Sequence, residues 1–441
     1  MSFVKPFVAM IKMLIITAYL LTRLFYSSAQ NNQKVFTSDI DNFWIAYDSI
    51  KTTKDSLKQI VFIKTLYIDK GTKGLKAFMT ARDYSAELWV KLIRMFPKFW
   101  TSIRPNTFTV KSYAREIEAS IKKLKELYPW LKEAKIYFTI GGLRSGGTTM
   151  NDMVLIGSEI ATGNASTDVS EFPNKWLEGV FKNQQSDNLV ALNVHEYVHT
   201  QQKGDSKYLL GQAIKEGACD FITELVTGQL LQNNYILYGR EHETDLKEQF
   251  KKEMFTPYYS NWLYNGSNAT TVADLGYFMG YTICKSYYNN SIDKKQAIKE
   301  IIELNFKNED DIERFLSNSK YYPGPLNKAE LVKEFEAKEP YVVKLEPFEN
   351  GDKQVDPTIK ELKIVFSEPM NKKGYSLNNG SRGKNYSPVA GVVGFSDDGT
   401  SFTFKIELKP DHEYEFVITD LSFKSAEGYP LKRYEVKFKT K

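Results

Sequence analysis

The stretch Leu189-Val190-Ala191-Leu192-Asn193-Val194-His195-Glu196-Tyr197-Val198-His199 decides how this chain is read. It is an apolar, helix-compatible run that can start at Ser186 as N-cap. On a helix, residues four apart are neighbours on one face, so His195 and His199 converge on one metal ion while Glu196 stands beside it. Zinc makes a bound water acidic near neutral pH, and a carboxylate in that position can take its proton during attack on a carbonyl. The chain has only four histidines, the others being His242 and His412, so finding half of them at this spacing is a specific signal.

A catalytic zinc normally takes a third protein ligand. The metzincin pattern requires Gly and then His at fixed steps after the second His, and Gln202 and Asp205 stand there instead. Downstream, Glu216 stands seventeen residues after His199, with Asp220 one helical turn beyond it. Asp220 and Glu224 lie at successive turns of the same predicted helix and offer alternatives, and Cys219 reads as a small buried thiol.

Three segments together, His195 to Gln201, Glu216 to Phe221 and Gly276-Tyr277-Phe278-Met279-Gly280-Tyr281, resemble a gluzincin family of zinc-dependent proteases secreted by Gram-negative bacteria. The resemblance extends less specifically from about Ser38 to about Leu331. It implies Zn2+ held by His195, His199 and Glu216, with Glu196 as general base. It also implies that Asp220 accepts a hydrogen bond from the far nitrogen of a ligand histidine and fixes its tautomer. Members often stabilise the developing oxyanion with a Tyr or His across the metal, which raises Tyr277 and Tyr281. Their spacing with Cys284 and Tyr288 also fits an ordinary core stripe.

The expected fold class is α+β: a mostly helical, zincin-like metallopeptidase domain with a small β-sheet, followed by an all-β Ig-like sandwich. Residues 1–29 read as a signal peptide, with Lys5 and Lys12 ahead of an apolar stretch and Ser27-Ser28-Ala29 at the cleavage site. The apolar stretch is about half the ~20 residues needed to span a bilayer, so no integral membrane segment is expected after cleavage. Residues 30–130 carry helical periodicity, as in Ile117, Ile121, Leu124 and Tyr128, and form the N-terminal helical region of the peptidase, either integral to it or inhibitory. Residues 131–338 form the metallopeptidase core, with strand signals at Lys135–Ile140 and Met153–Gly157. The glycine run Gly141–Gly147 between them lacks a phosphate-loop pattern and reads as a hairpin connection.

Residues 339–441 alternate apolar and polar positions between turn signals. Ile364 to Met370, Leu408 to Tyr414 and Gly428-Tyr429-Pro430 resemble bacterial Ig-like domains of surface-layer and secreted proteins. Such domains act as spacers or adhesive modules, with the cell surface or other proteins as partners.

The formal charge of +5 falls to +2 once Lys5, Lys12 and Arg23 leave with the signal peptide, which gives no case for nucleic acid as a partner. Cys219 and Cys284 are the only cysteines, a bridge or two buried thiols. The leading functional expectation is an exported zinc peptidase, periplasmic, cell-surface or extracellular, acting on a peptide or protein substrate along an edge strand near Leu155-Ile156-Gly157. The alternatives are a secreted binding or adhesion protein with a structural or vestigial zinc site, and a zinc hydrolase of a non-protein amide. Glu196, which a purely structural site does not need, favours an enzyme.

Overall fold

The computed structural model describes residues 33–173, 175–183, 188–266 and 272–441. The signal-peptide segment and the Ser186 cap lie outside the described residues. The chain forms two compact units: one comprises the chain up to Ser206, Gly211–Glu241 and Tyr264–Pro323, the other Lys207–Leu210, His242–Leu263 and Gly324–Lys441.

The first unit is mostly helical around a four-stranded sheet. The helices that matter below are α1 (Ser38–Lys51), α2 (Lys73–Arg82), α3 (Val110–Leu127), α4 (Leu189–His199), α5 (Leu209–Thr227) and α6 (Leu275–Asn290). The strands are β1 (Val35–Phe36), β2 (Lys135–Thr139), β3 (Gly147–Met150) and β4 (Met153–Gly157), in the spatial order β1-β2-β4-β3. The two sequence-predicted strands do pair, but in parallel, with Ile136 opposite Val154 and Phe138 opposite Ile156. A tight hairpin joins only antiparallel neighbours. The glycine run therefore ends in a strand of its own, β3, which is antiparallel to β4 across the turn at Asn151, whose φ is +55°. This also corrects the expected substrate edge: Leu155, Ile156 and Gly157 are paired on both sides, and β3 is the open edge. An apolar run buried on both faces looks the same in sequence whether it is central or lateral.

The helical region before residue 130 is built into this sheet. Val35 and Phe36 pair with Ile136 and Tyr137, the Tyr67 hydroxyl donates to the Ile140 carbonyl at 2.6 Å, and the Trp89 indole donates to the Gly141 carbonyl at 2.8 Å. Phe43, Trp44, Tyr67, Trp89 and Trp100 are fully buried around these bonds, so their polar ends are satisfied where their rings are desolvated. That makes the segment an integral subdomain.

Helices α5 and α6 cross with backbones in contact. A Cβ on Gly217 would stand 2.0 Å from the Tyr281 amide, and one on Gly280 1.8 Å from the Ala213 carbonyl oxygen. Both glycines fall in the segments that carry the family resemblance, and the close crossing brings Glu216 and Tyr277 toward α4.

In the second unit, the helices Glu243–Glu253 and Lys328–Glu336 pack together, and the Phe335 ring lies 5.8 Å from Tyr258 and 5.2 Å from Tyr429. The rest is a sandwich of two antiparallel sheets. One sheet orders β5 (Val342–Glu346), β6 (Glu361–Phe366), β9 (Ser401–Ile406) and β8 (Val389–Phe395); the other orders β11 (Tyr434–Lys439), β10 (Glu413–Ile418) and β7 (Leu377–Asn379). The inward positions, including Leu362, Ile364, Phe402, Phe404, Phe416 and Val436, form one apolar core. No helix among the described residues is long and apolar enough to cross a membrane.

Candidate metal centre

Helix α4 presents His195 and His199 on one face as the spacing requires, their rings 4.8 Å apart by centroid. The outer nitrogen of each ring meets an acceptor. His195 Nδ1 lies 2.8 Å from Asp220 Oδ1; His199 Nδ1 lies 2.7 Å from Gln202 Oε1. Gln202 is fixed in that orientation because its Nε2 donates to the Lys215 carbonyl at 2.8 Å. Both acceptors therefore take an Nδ1 proton and leave Nε2 with its lone pair free.

Those two Nε2 atoms face each other at 3.1 Å, and Glu216 Oε2 sits 3.1 Å from that of His199 and 3.5 Å from that of His195. Two lone pairs and a carboxylate oxygen converge with no donor between them, an arrangement that asks for a cation. A tetrahedron with zinc-like bonds of about 2.0 to 2.2 Å has edges of about 3.3 to 3.6 Å, and the three donors stand 3.1 to 3.5 Å apart, close to that spacing. Helix α5 places Glu216 and Asp220 one turn apart for this purpose.

The electrostatics agree. Burial opposes charge on His195, yet Asp220 and Glu216 hold its pKa well above the imidazole range; burial likewise opposes charge on His199, and Glu216 raises it. Burial alone would raise Glu216, but the two imidazoles pull it well below the carboxylate range. The pocket thus favours positive charge, whether proton or metal.

Glu196 is buried beside this cluster. A Cβ on Gly147 would stand 2.6 Å from its Oε1, so β3 passes directly over its carboxylate. Burial pushes the Glu196 carboxyl up, and the two histidines partly offset this.

Cys219 is a competing donor, since its ligand atom and those of His195 and His199 all lie within 4.8 Å of one another. Its Sγ, however, approaches His199 at Nδ1, 3.3 Å away, the nitrogen already facing Gln202. An ion between the Nε2 atoms would meet Glu216, with Cys219 packed behind the ring. Cys219 and Cys284 are both free and buried, and the Cys284 thiol points to the Ile214 carbonyl at 3.9 Å.

The two candidate tyrosines part company. The Tyr277 ring is half-buried and stacks near His195, centroids 6.2 Å apart. Tyr281 is not at the cluster with its hydroxyl, which donates to Glu224 Oε2 at 2.6 Å and lies 2.7 Å from Lys285 Nζ; an acidic neighbour one turn beyond Asp220 captures it. Glu224 is thereby also engaged away from the two Nε2 atoms.

Sequence reasoning missed two tyrosines that do touch the site. The Tyr264 hydroxyl donates to Glu216 Oε1 at 2.7 Å and the Tyr235 hydroxyl to Asp220 Oδ2 at 3.0 Å. Tyr264 has a φ of +56°, uncommon for a bulky residue, and is 58% exposed. Neither has a spacing relation to the motif, and 27 tyrosines hide them in composition.

Among known families, residues 336–440 match the bacterial Ig-like domain, and the C-terminal sandwich is such a domain. No curated protein matches the chain. Among solved structures, the chain is similar to CopC from Methylosinus trichosporium OB3b at 19% identity, over 23% of this chain and 95% of that one, with a TM-score of 0.19. It is also similar to the surface-layer protein rSbsC(31-844) at 11% identity, over 60% of this chain and 36% of that one, TM-score 0.15. The N-terminal part of SbsC gives 14% identity, over 60% and 62% of the two chains, TM-score 0.17. Likenesses this low carry no argument about activity. For the helical unit the argument rests on the side chains themselves.

Proposed function

We propose that the chain is an exported zinc-dependent peptidase of the gluzincin type, with a zincin-like catalytic unit and an Ig-like module that serves as spacer or adhesive partner. The observation that supports it best is the convergence of His195 Nε2, His199 Nε2 and Glu216 Oε2 at 3.1 to 3.5 Å, with both outer nitrogens directed at acceptors. Those three residues would hold Zn2+, which supplies an acidified water and a polarised carbonyl when bound.

The remaining work falls to the protein. Glu196, desolvated and raised, takes the proton from the attacking water and delivers it to the leaving amine. Asp220 and Gln202 lock the imidazoles in the ligating tautomer, and Tyr235 in turn orients Asp220. Tyr277 supports the His195 ring by packing. Tyr264, exposed and donating to the outer oxygen of Glu216, is the tyrosine suited to meet a developing oxyanion. The open edge of β3 passes over Glu196 and offers a substrate backbone a strand to pair with.

The test is direct. The full chain, prepared without chelators, is assayed for zinc and incubated with a mixed peptide library with and without chelator, and the products are sequenced. Chelator-sensitive cleavage together with about one zinc per chain is the expected result. A chain that holds zinc and cleaves nothing in a broad library overturns the peptidase reading.

A further inference from the structure

Helix α5 turns two carboxylates toward the histidine pair, and each uses one oxygen there. Asp220 Oδ1 lies 2.8 Å from His195 Nδ1, while its Oδ2 accepts the Tyr235 hydroxyl at 3.0 Å. Glu216 follows the same scheme: Oε2 lies 3.1 Å from His199 Nε2, and Oε1 accepts the Tyr264 hydroxyl at 2.7 Å. The Tyr277 ring packs against both phenols, its centroid 5.2 Å from that of Tyr235 and 6.3 Å from that of Tyr264. The two hydroxyl bonds look alike but differ in consequence, because only Glu216 faces the ion site with its other oxygen.

Tyr264 is held at this place against its backbone preference, since a φ of +56° is unfavourable for a bulky side chain. A reciprocal clasp overrides that preference: the Asn265 amide donates to Asp274 Oδ1 at 3.2 Å, and the Asp274 amide donates to Asn265 Oδ1 at 2.8 Å. Asp274 directly precedes α6, and its carbonyl accepts the Tyr277 amide at 3.0 Å. The turn that carries Tyr264 is thereby fastened to the helix that carries Tyr277. Tyr264 is itself exposed, so the core does not demand an aromatic residue there.

A carboxylate can close on a cation with one oxygen or with both. Closure with both takes up coordination space that a catalytic zinc keeps open for water. For Glu216 it also requires Oε1 to turn away from the Tyr264 hydroxyl, and a hydrogen bond to an ionised oxygen is among the stronger ones. We infer that Tyr264 is a positioning residue that keeps Glu216 a one-oxygen ligand and so preserves the open position at the cluster. This rests on the zinc-peptidase reading, which supplies the metal and the need for an open position, yet it can be measured without any substrate.

Activity alone does not test this role, because loss of the hydroxyl would also remove an oxyanion donor. The full chain is therefore loaded with cobalt in place of zinc, as the parent, Tyr264→Phe and Tyr235→Phe. Visible absorption is recorded, and metal affinity is measured by competition with a chelator. Five-coordinate cobalt absorbs more weakly in the visible than four-coordinate cobalt. Tyr264→Phe keeps the ring and should lose visible intensity as Glu216 closes with both oxygens, while metal affinity stays within about threefold of the parent. Tyr235→Phe should do the reverse, weakening the metal about 10-fold through Asp220 and His195 with a parent-like spectrum. An unchanged spectrum in Tyr264→Phe overturns the proposal, and so does an equal loss of intensity in both variants. A second measurement needs no variant: the copper form of the parent should show no phenolate-to-metal charge-transfer band. Such a band would put a tyrosine on the ion instead of on Glu216, and overturns the proposal. A parent that binds neither zinc nor cobalt overturns this role and the peptidase reading together. If the spectral loss appears while no peptide is cleaved with zinc, the positioning role stands and the peptidase reading fails. Chelator-sensitive cleavage with an unchanged Tyr264→Phe spectrum leaves the peptidase reading and removes this role.

Discussion

The two parts of this chain bury different things. The Ig-like sandwich closes on aliphatic and aromatic side chains, and its one deeply buried acid, Glu415, is met by Ser381 and Arg382. The helical unit buries Asp39, Glu159, Glu196, Glu216 and Asp220 along with its aromatic core. Burying a charge is expensive unless it is paired, and the sandwich spends almost nothing that way. In the helical unit three of the five, Glu196, Glu216 and Asp220, gather around two histidines.

The sharpest way to break that contrast is to replace Glu196 with Gln. The amide keeps the shape that packs under Gly147 but loses the basic oxygen. Zinc content and folding should survive, while cleavage of any peptide the parent hydrolyses should fall about 10²-fold to 10⁴-fold. A variant with full activity would remove Glu196 from the mechanism.

The matching change in the sandwich acts on stability alone. Phe404 is fully buried among Phe402, Phe416 and Leu362. Phe404→Ala should destabilise that unit by about 3 to 5 kcal/mol, read from its denaturant midpoint, because the void left in an all-apolar core cannot be filled by water. A loss below about 1 kcal/mol would show a core able to collapse onto the gap.

Glu159 sharpens the comparison from the helical side. It is fully buried, accepts the Gly141 and Leu143 amides at 2.7 and 3.1 Å, and burial pushes its pKa up to about 7 despite those bonds. The native state therefore holds a proton that the unfolded chain releases near the ordinary glutamate value of 4.5. Stability from this group is complete below about pH 4.5 and declines as the pH rises toward about 7, by roughly 3 kcal/mol in total. In Glu159→Gln that slope disappears, so the deficit of the variant against the parent should shrink across this window when unfolding is followed at several pH values. A constant deficit would mean that Glu159 stays ionised in the fold.

How far these contrasts were visible beforehand depends on range along the chain. The histidine pair was legible because helical spacing of four residues fixes who faces whom, and Glu216 with Asp220 through the family resemblance. The sandwich was legible from its period of two. Tyr264 reaches Glu216 across 48 residues, and Tyr235 reaches Asp220 across 15. No local pattern records such meetings. The sheet order was hidden for a related reason: Val35 and Phe36 are too short a segment to announce a strand, and the run Met153–Gly157 reads alike at the centre or at the edge. Gln202 was seen only as a departure from another family's motif, although it holds His199 as Asp220 holds His195.

The smallest expected effect concerns Cys219, and it decides which donors complete the cluster. The thiol lies 3.3 Å from His199 Nδ1 and 3.6 Å from Gln202 Oε1, behind the ring. Only a thiolate ligates zinc, and burial, then the Glu216 and Asp220 carboxylates, holds the Cys219 pKa well above the thiol range. A bound ion could reverse that order by lowering the pKa of a thiol it touches, so the geometry has to decide. With Nδ1 of His199 committed to Gln202, an ion would sit on the Nε2 side with Glu216, and Cys219→Ala should remove only packing. Zinc affinity should change by less than about threefold, against the 10-fold to 100-fold typical when a partner orienting a ligand is lost. Cobalt in place of zinc gives a second readout, because a thiolate ligand adds an intense near-ultraviolet charge-transfer band that nitrogen and oxygen ligands lack. The cobalt form of the parent should show no such band. Its presence in the parent and loss in Cys219→Ala would move the third ligand from Glu216 to Cys219.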